Sequence, residues 1–177
     1  NKSQEKLKQN TNVINEFNFI FNQFKEFKDF IEIYESLNDK EINELVENIN
    51  NLKKQCEKIK IHSLLNKETD DCNAFIEIHA GAGGTESQDW AEMLSRMYQR
   101  FAEKNDYKYK IIDYQRGEEA GLKNLTMIIS GFKSYGYLKN ESGIHRLVRI
   151  SPFDSNKRRH TSFCSVWVYP EIDKDIE

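Results

Sequence analysis

Neither glycine nor proline occurs before Gly81, so all eight glycines and both prolines fall in the remainder of this 177-residue chain. A stretch of that length with no residue that breaks or frees the backbone is set up for helix. Within it, Phe17, Ile20, Phe24, Phe27, Ile31 and Tyr34 recur at alternating spacings of three and four, and Ile42, Leu45, Ile49, Leu52, Cys56 and Ile59 repeat the pattern. Each set forms one apolar stripe on a helix, facing a partner at a coiled-coil-like crossing. Asn38, with Glu41 three residues on, reads as a capping-box start for the second helix. The short connection makes an antiparallel helical hairpin. Its stripes read as core, or as a helical face offered to another protein.

The period changes at Ala74. Residues 74–80, AFIEIHA, alternate as a strand does, and a glycine-rich turn at 81–84 follows. Thr85 with Gln88 reads as a second capping box, opening a helix to about Glu103 whose buried face would include Trp90, Met93, Leu94, Met97 and Phe101. Tyr107–Tyr114, Leu125–Ile129 and Phe163–Tyr169 read as further strands. Strands with one long helix and short connections give an α+β domain with a mixed or antiparallel sheet. The expected organisation is a helical hairpin over residues 1–68 and an α+β domain over 69–177.

The formal net charge of −3 hides an uneven distribution. Between Glu141 and Phe163, Arg146, Arg149, Lys157, Arg158 and Arg159 oppose only Glu141 and Asp154, which leaves a local excess of positive charge and marks where an anionic partner belongs. The same segment sets Pro152 and Phe153 among hydroxyls and a histidine, in RISPFDSNKRRHTSF. Cations for phosphate, a ring for stacking and hydroxyls for base edges are the parts of single-stranded RNA recognition. Read locally, Ser151, Pro152 and Phe153 also fit the packed start of a strand, and the cations a solvated loop.

Other chemistry finds less support. GAGGTESQ, residues 81–88, has Glu86 where the dinucleotide fingerprint needs its third glycine, and no lysine as a phosphate-binding P-loop requires. What remains is a backbone that admits a close neighbour and a helix start whose first N–H groups point outward. They suit a phosphate or a base carbonyl, while the Glu86 carboxylate repels phosphate and accepts from an amine. A plain strand-to-helix turn fits the same residues. No G-x-S-x-G elbow places a nucleophile, and Glu118–Glu119 reads as a solvated acidic pair. Cys56, Cys72 and Cys164 are far apart, so neither a disulfide framework nor a zinc site is expected, and a reducing compartment is the default. His160 has no second histidine at ligand spacing. No cofactor and no metal are expected. No apolar run reaches membrane-spanning length, and the chain begins at Asn1, which leaves a removed targeting peptide open.

Three segments together, IHAGAGGTESQDWAEMLSRMY, GIHRLVRISPFDSNKRRHTSF and VWVYPEID, closely resemble the bacterial-type peptide chain release factors of the release factor 2 family. The likeness is dense over residues 64–177 and loose over the helical part. The Ser-Pro-Phe tripeptide is what separates this type from release factor 1. The resemblance implies translation termination at UGA and UAA, with the small-subunit RNA and the stop codon as partners and a ribosomal-protein contact through the helical domain. Neither a membrane nor DNA is implied. Location would be cytoplasmic in a bacterium, plastid or mitochondrial in a eukaryote.

Carried over residue by residue, the resemblance assigns the first-position uracil to Gly84 and Glu86, the second base to Ser151, and the third to His160, which stacks, and Thr161, which hydrogen-bonds. Val148, Pro152 and Phe153 would pack around the codon. Arg149, Arg158 and Arg159 would hold RNA phosphates or support the loop. The family's hydrolytic Gly-Gly-Gln does not occur in these 177 residues, so the chain is expected to read codons without catalysing release. An apolar face of the α+β domain is expected to lie uncovered, favouring self-association. A short ribosome-binding adaptor and a general single-stranded RNA-binding domain remain the alternatives.

Overall fold

The structure, a computed structural model, describes residues 2–32 and 38–172. The chain divides into two compact units, Asn1–Asn66 and Lys67–Glu177.

The first unit holds helices α1 (Lys2–Glu32) and α2 (Asp39–Leu64). Asn38 caps α2 as its sequence predicts: its side-chain oxygen accepts from Lys40 N at 3.1 Å and Glu41 N at 3.0 Å, while the Glu41 carboxylate accepts from Asn38 N at 2.9 Å. The helices run antiparallel, with Phe27 beside Leu45 at one end and Ile20 beside Ile59 further along. The expected stripe is only half right. Among the described residues of this unit Phe27 and Leu45 alone are buried, whereas Phe17, Phe24, Ile31 and Ile49 stay exposed. Phenylalanines spread over more than half the circumference of α1, and a single partner helix covers one narrow seam. Phe17 and Phe21 stack on each other at 6.4 Å, and Lys25 lies over the Phe21 ring. Tyr34 lies outside the described residues.

The second unit is α+β. Strands β1 (Ala74–Ala80), β2 (Lys108–Arg116), β3 (Leu122–Ser130), β4 (Gly143–Ile150) and β5 (Arg159–Pro170) form one sheet in the order β2-β3-β1-β5-β4, every pairing antiparallel. Helices α3 (Thr85–Lys104) and α4 (Ser134–Leu138) complete it. Strand alternation sends Ala74, Ile76 and Ile78 of β1, Leu125, Met127 and Ile129 of β3, and Cys164, Val166 and Val168 of β5 into one core. Against that core α3 lays Ala91, Leu94, Tyr98 and Ala102. The buried stripe is therefore rotated from the expected one: Met97 is exposed, and Trp90, Met93 and Phe101 are half-buried at the margin. The small side chains of Ala91, Ser95 and Ala102 let the helix approach the sheet closely, and the larger residues flank it. Burial pushes the Cys164 thiol up to about 12, so it stays protonated and inert.

The opposite face of the sheet carries large apolar side chains that stay exposed among the described residues. Ile144, Val148, Ile150, Phe163, Trp167 and Tyr169 are all exposed on β4 and β5. Below the sheet, the fully buried Asp70 accepts from Lys139 Nζ at 2.6 Å; burial raises its pKa, but the lysine contact outweighs this and holds it below the usual carboxylate range.

Candidate nucleic-acid interface

The basic segment is the hairpin of β4 and β5, and the stretch that joins them, residues 151–158, is its loop. The strand character of residues 143–150 is absent from the sequence reading. IHRLVRI puts an arginine or an aliphatic on either face, which blurs the alternation.

Two short side chains shape the loop. Ser151 N donates to Arg158 O at 3.1 Å, closing the base, and Ser151 Oγ accepts from Phe153 N at 3.0 Å. Ser151 is consequently only 4% exposed. Asp154 accepts Asn156 N on Oδ1 at 3.0 Å and both Arg158 Nε (2.7 Å) and His160 Nε2 (2.9 Å) on Oδ2, while its carbonyl takes Lys157 N at 2.9 Å. Arg158 first, then His160 and the Asn156 amide, hold the Asp154 carboxyl well below the usual range. Asp154 is therefore ionised, and a locally basic loop has an anion at its centre.

The cations divide accordingly. Arg158 is turned inward to Asp154. Arg149 reaches α3, donating through Nε and Nη2 to Glu86 Oε2 (3.1 and 2.9 Å) and through Nη2 to Asp89 Oδ2 at 2.6 Å. Burial lowers the Arg149 pKa, and the two carboxylates more than restore it. Among the described residues, Arg146, Lys157 and Arg159 carry no ion pair. They are the cations left facing solvent.

The glycine turn lies beside this hairpin. Gly81 N donates to Phe163 O at 2.9 Å, and Phe163 N returns a bond to Ala82 O at 3.1 Å. A Cβ at Gly81 would stand 2.9 Å from that Phe163 oxygen, so a side chain is excluded by backbone, and at Gly83 (φ +134) a Cβ would meet Ser162. The N-cap of α3 is Gly84, which offers no side-chain cap; its carbonyl accepts from Ser87 and Gln88 N. The expected capping box at Thr85 does not form, because tertiary partners take both side chains. Thr85 Oγ1 donates to Glu119 at 2.9 Å, and the Gln88 side-chain oxygen accepts from Glu118 N. The amides of Thr85 and Glu86 precede the first helical hydrogen bond and point out of the helix. Glu86 is 6% exposed, and its Oε1 is buried with no partner.

The candidate residues thus gather at one end of the sheet but on two faces. Arg149 pairs with His160 across the ladder, on the side that carries α3, with Gly84 and Glu86 nearby. Val148 pairs with Thr161 on the other side, both exposed. Pro152 and Phe153 project from the loop, the latter 48% exposed. The residues that sequence reasoning missed are Asp154 and Asp89. An acid inside a basic loop looks like charge balance until its three donors are seen. Among the described residues no cluster of histidine, cysteine and carboxylates suits a metal, and no helix is long and apolar enough to cross a membrane.

Comparison with known proteins agrees over nearly the whole chain. The PCRF domain matches residues 1–166. A curated relative named peptide chain release factor 2, from Nitratiruptor sp., is 59% identical over 135 residues, covering 76% of this chain and 37% of that protein. Another of the same name, from Campylobacter hominis, is 51% identical over 168 residues, covering 94% and 46%. Among solved structures, RF2 of Thermus thermophilus superposes with a TM-score of 0.71 at 37% identity, over 99% of this chain and 50% of that one. The chain spans less than half the length of these curated relatives.

Proposed function

This chain belongs to the PCRF domain family, in company with the release factor 2 proteins it matches, and on that premise we propose that it reads the stop codons UGA and UAA on the ribosome during translation termination. The observation that carries this is the gathering of the α3 tip, the ends of β4 and β5 and the 151–158 loop at one end of the sheet, tied by Arg149 and the Gly81–Phe163 pair. That end has outward amides, an exposed ring, hydroxyls and unpaired cations.

In this reading each part meets a nucleotide group it suits. The outward amides at the start of α3, from Gly84 to Glu86, donate to the carbonyl of the first uracil; cytosine sets an amine there and is refused. The buried, unpartnered Glu86 Oε1 gives that position an acceptor as well. Ser151 meets the second base. Its oxygen accepts one bond within the loop and keeps a second lone pair and its proton, enough to donate to guanine O6 or accept from adenine N6. Being so little exposed, Ser151 makes this contact only when the loop opens over it. His160 and Thr161, on opposite faces, embrace the third base, and Val148, Pro152 and Phe153 exclude water around the codon. Lys157 and Arg159 hold phosphate, while Arg149 and Arg158 hold the surface in shape.

These residues bind and position; we assign no hydrolytic step to any of them, so the 177-residue chain alone leaves peptidyl-tRNA intact. The test is binding to ribosomes programmed with UGA, UAA or sense codons, together with a release assay. Preference for the two stop codons with no release supports the reading, and equal binding to all codons sinks it. Ser151→Ala is expected to lower affinity at both stop codons by roughly ten- to a hundredfold.

A further inference from the structure

Asp154 has no role in the surface just described beyond shaping a loop, yet it is the best-anchored side chain of that loop. Both oxygens are engaged. Asn156 N holds Oδ1, and Arg158 Nε and His160 Nε2 share Oδ2. The carboxylate is thereby fixed against rotation, and its side chain is 9% exposed while the His160 side chain is 40% exposed. An ionised carboxylate only accepts, so the imidazole nitrogen 2.9 Å away must carry a proton. A neutral ring with its proton on Nδ1 would instead turn a lone pair on Nε2 toward the carboxylate. Among the described residues nothing else bonds to Nδ1.

We propose that Asp154 is the positioning residue of the codon-facing loop, holding His160 as its Nε2–H tautomer so that the ring meets RNA with a bare Nδ1 acceptor and a fixed plane. The carboxylate that fixes the tautomer also draws Arg158 inward, so one anion orients the ring and keeps a cation from competing for the same nucleotide. The RNA half of this proposal rests on the stop-codon reading above. The tautomer half stands on geometry alone, and the two are tested separately.

Long-range proton–nitrogen spectra of the 177-residue chain, labelled at histidine nitrogens and recorded above the titration of an ordinary histidine (about 6.5), report the tautomer of each of its four histidines. His160 is expected to show a protonated Nε2 and a bare Nδ1. Asp154→Ala should abolish that preference while His79 and His145 keep their signals, which also proves the variant folded. Asp154→Asn retains an acceptor oxygen and should largely preserve the tautomer. In programmed-ribosome binding, Asp154→Ala should cost about tenfold at UGA and UAA, Asp154→Asn clearly less. In a His160→Ala background the loss from Asp154→Ala should nearly vanish. A protonated Nδ1 in the wild type, an unchanged tautomer in Asp154→Ala, or an undiminished loss in the His160→Ala background overturns the proposal. If wild-type binding shows no codon preference, the stop-codon reading fails instead, and the spectra still decide what Asp154 does to the ring.

Discussion

Residues 81–84 and residues 151–158 both adjoin β5, yet the first is shaped by side chains it lacks and the second by short ones it carries. At the glycine turn the backbone of β5 comes so close that a methyl group at Gly81 would press on the Phe163 carbonyl. In the loop, Ser151 and Asp154 supply internal acceptors that a loop of that length otherwise seeks from water. The first device is steric and has essentially one shape. The second is a set of hydrogen bonds that a competing ligand can exchange. On the proposed reading, in which fixed amides meet one base and the next position adapts to either of two purines, both devices have a use.

Removing the tie between them should have the largest effect. Arg149→Ala strands the carboxylates of Glu86 and Asp89, of which Glu86 is nearly buried, and should cost about 3 kcal/mol in denaturant unfolding. Binding should fall at every codon, because α3 and β4 lose their common anchor. A loss confined to binding, with stability intact, would mean that Arg149 touches RNA rather than holding the surface.

Gly81→Ala should come next, at about 2 kcal/mol, since backbone on both sides must move. Phe153→Ala should do the reverse. The ring is half exposed and packs on little, so stability should shift by less than about 0.5 kcal/mol, whereas codon-dependent binding should drop by roughly tenfold or more from lost stacking. If the two variants behaved alike in both assays, the contrast between a rigid turn and an adaptable loop would be wrong.

The smallest effect should come from pH. Asp154 has a depressed pKa in the folded chain, so its contribution is present above the unfolded carboxylate value (about 3.9) and is lost as pH falls toward the folded one. The Asp154 contribution to the loop resonances should therefore appear below about pH 4, while the glycine turn, which has no titrating group of its own, should follow the global transition. Separate NMR titration of Phe153 and Gly83 amides checks this.

How far this surface was legible follows from the range of the forces involved. β1 is readable from AFIEIHA because its alternation is local, and the cap at Asn38 is readable because its partner is three residues away. The similar pattern at Thr85 misleads, because Glu119 draws the hydroxyl away from a distance of 34 residues. The outward basic character of the loop is likewise only partly visible. Arg149 and Arg158 count as positive charge in the sequence, but one is spent on Glu86 and the other on Asp154. Nothing local in residues 85–89 signals that pairing.

The order of the strands carries a consequence in time. β1 is the middle of the sheet and the earliest strand to be made, yet its neighbours are β3 and β5, with Ala74 facing Ile129 on one side and Pro170 on the other. A chain emerging from the ribosome therefore holds its future centre open on the β5 side until almost the whole unit has been synthesised. The hairpins β2–β3 and β4–β5 can form early and cheaply, but the apolar row of Ala74, Ile76 and Ile78 waits for both. Such distant pairings make for slow closure and a lingering open edge, the interval in which a nascent chain is most exposed to mispairing or to a chaperone.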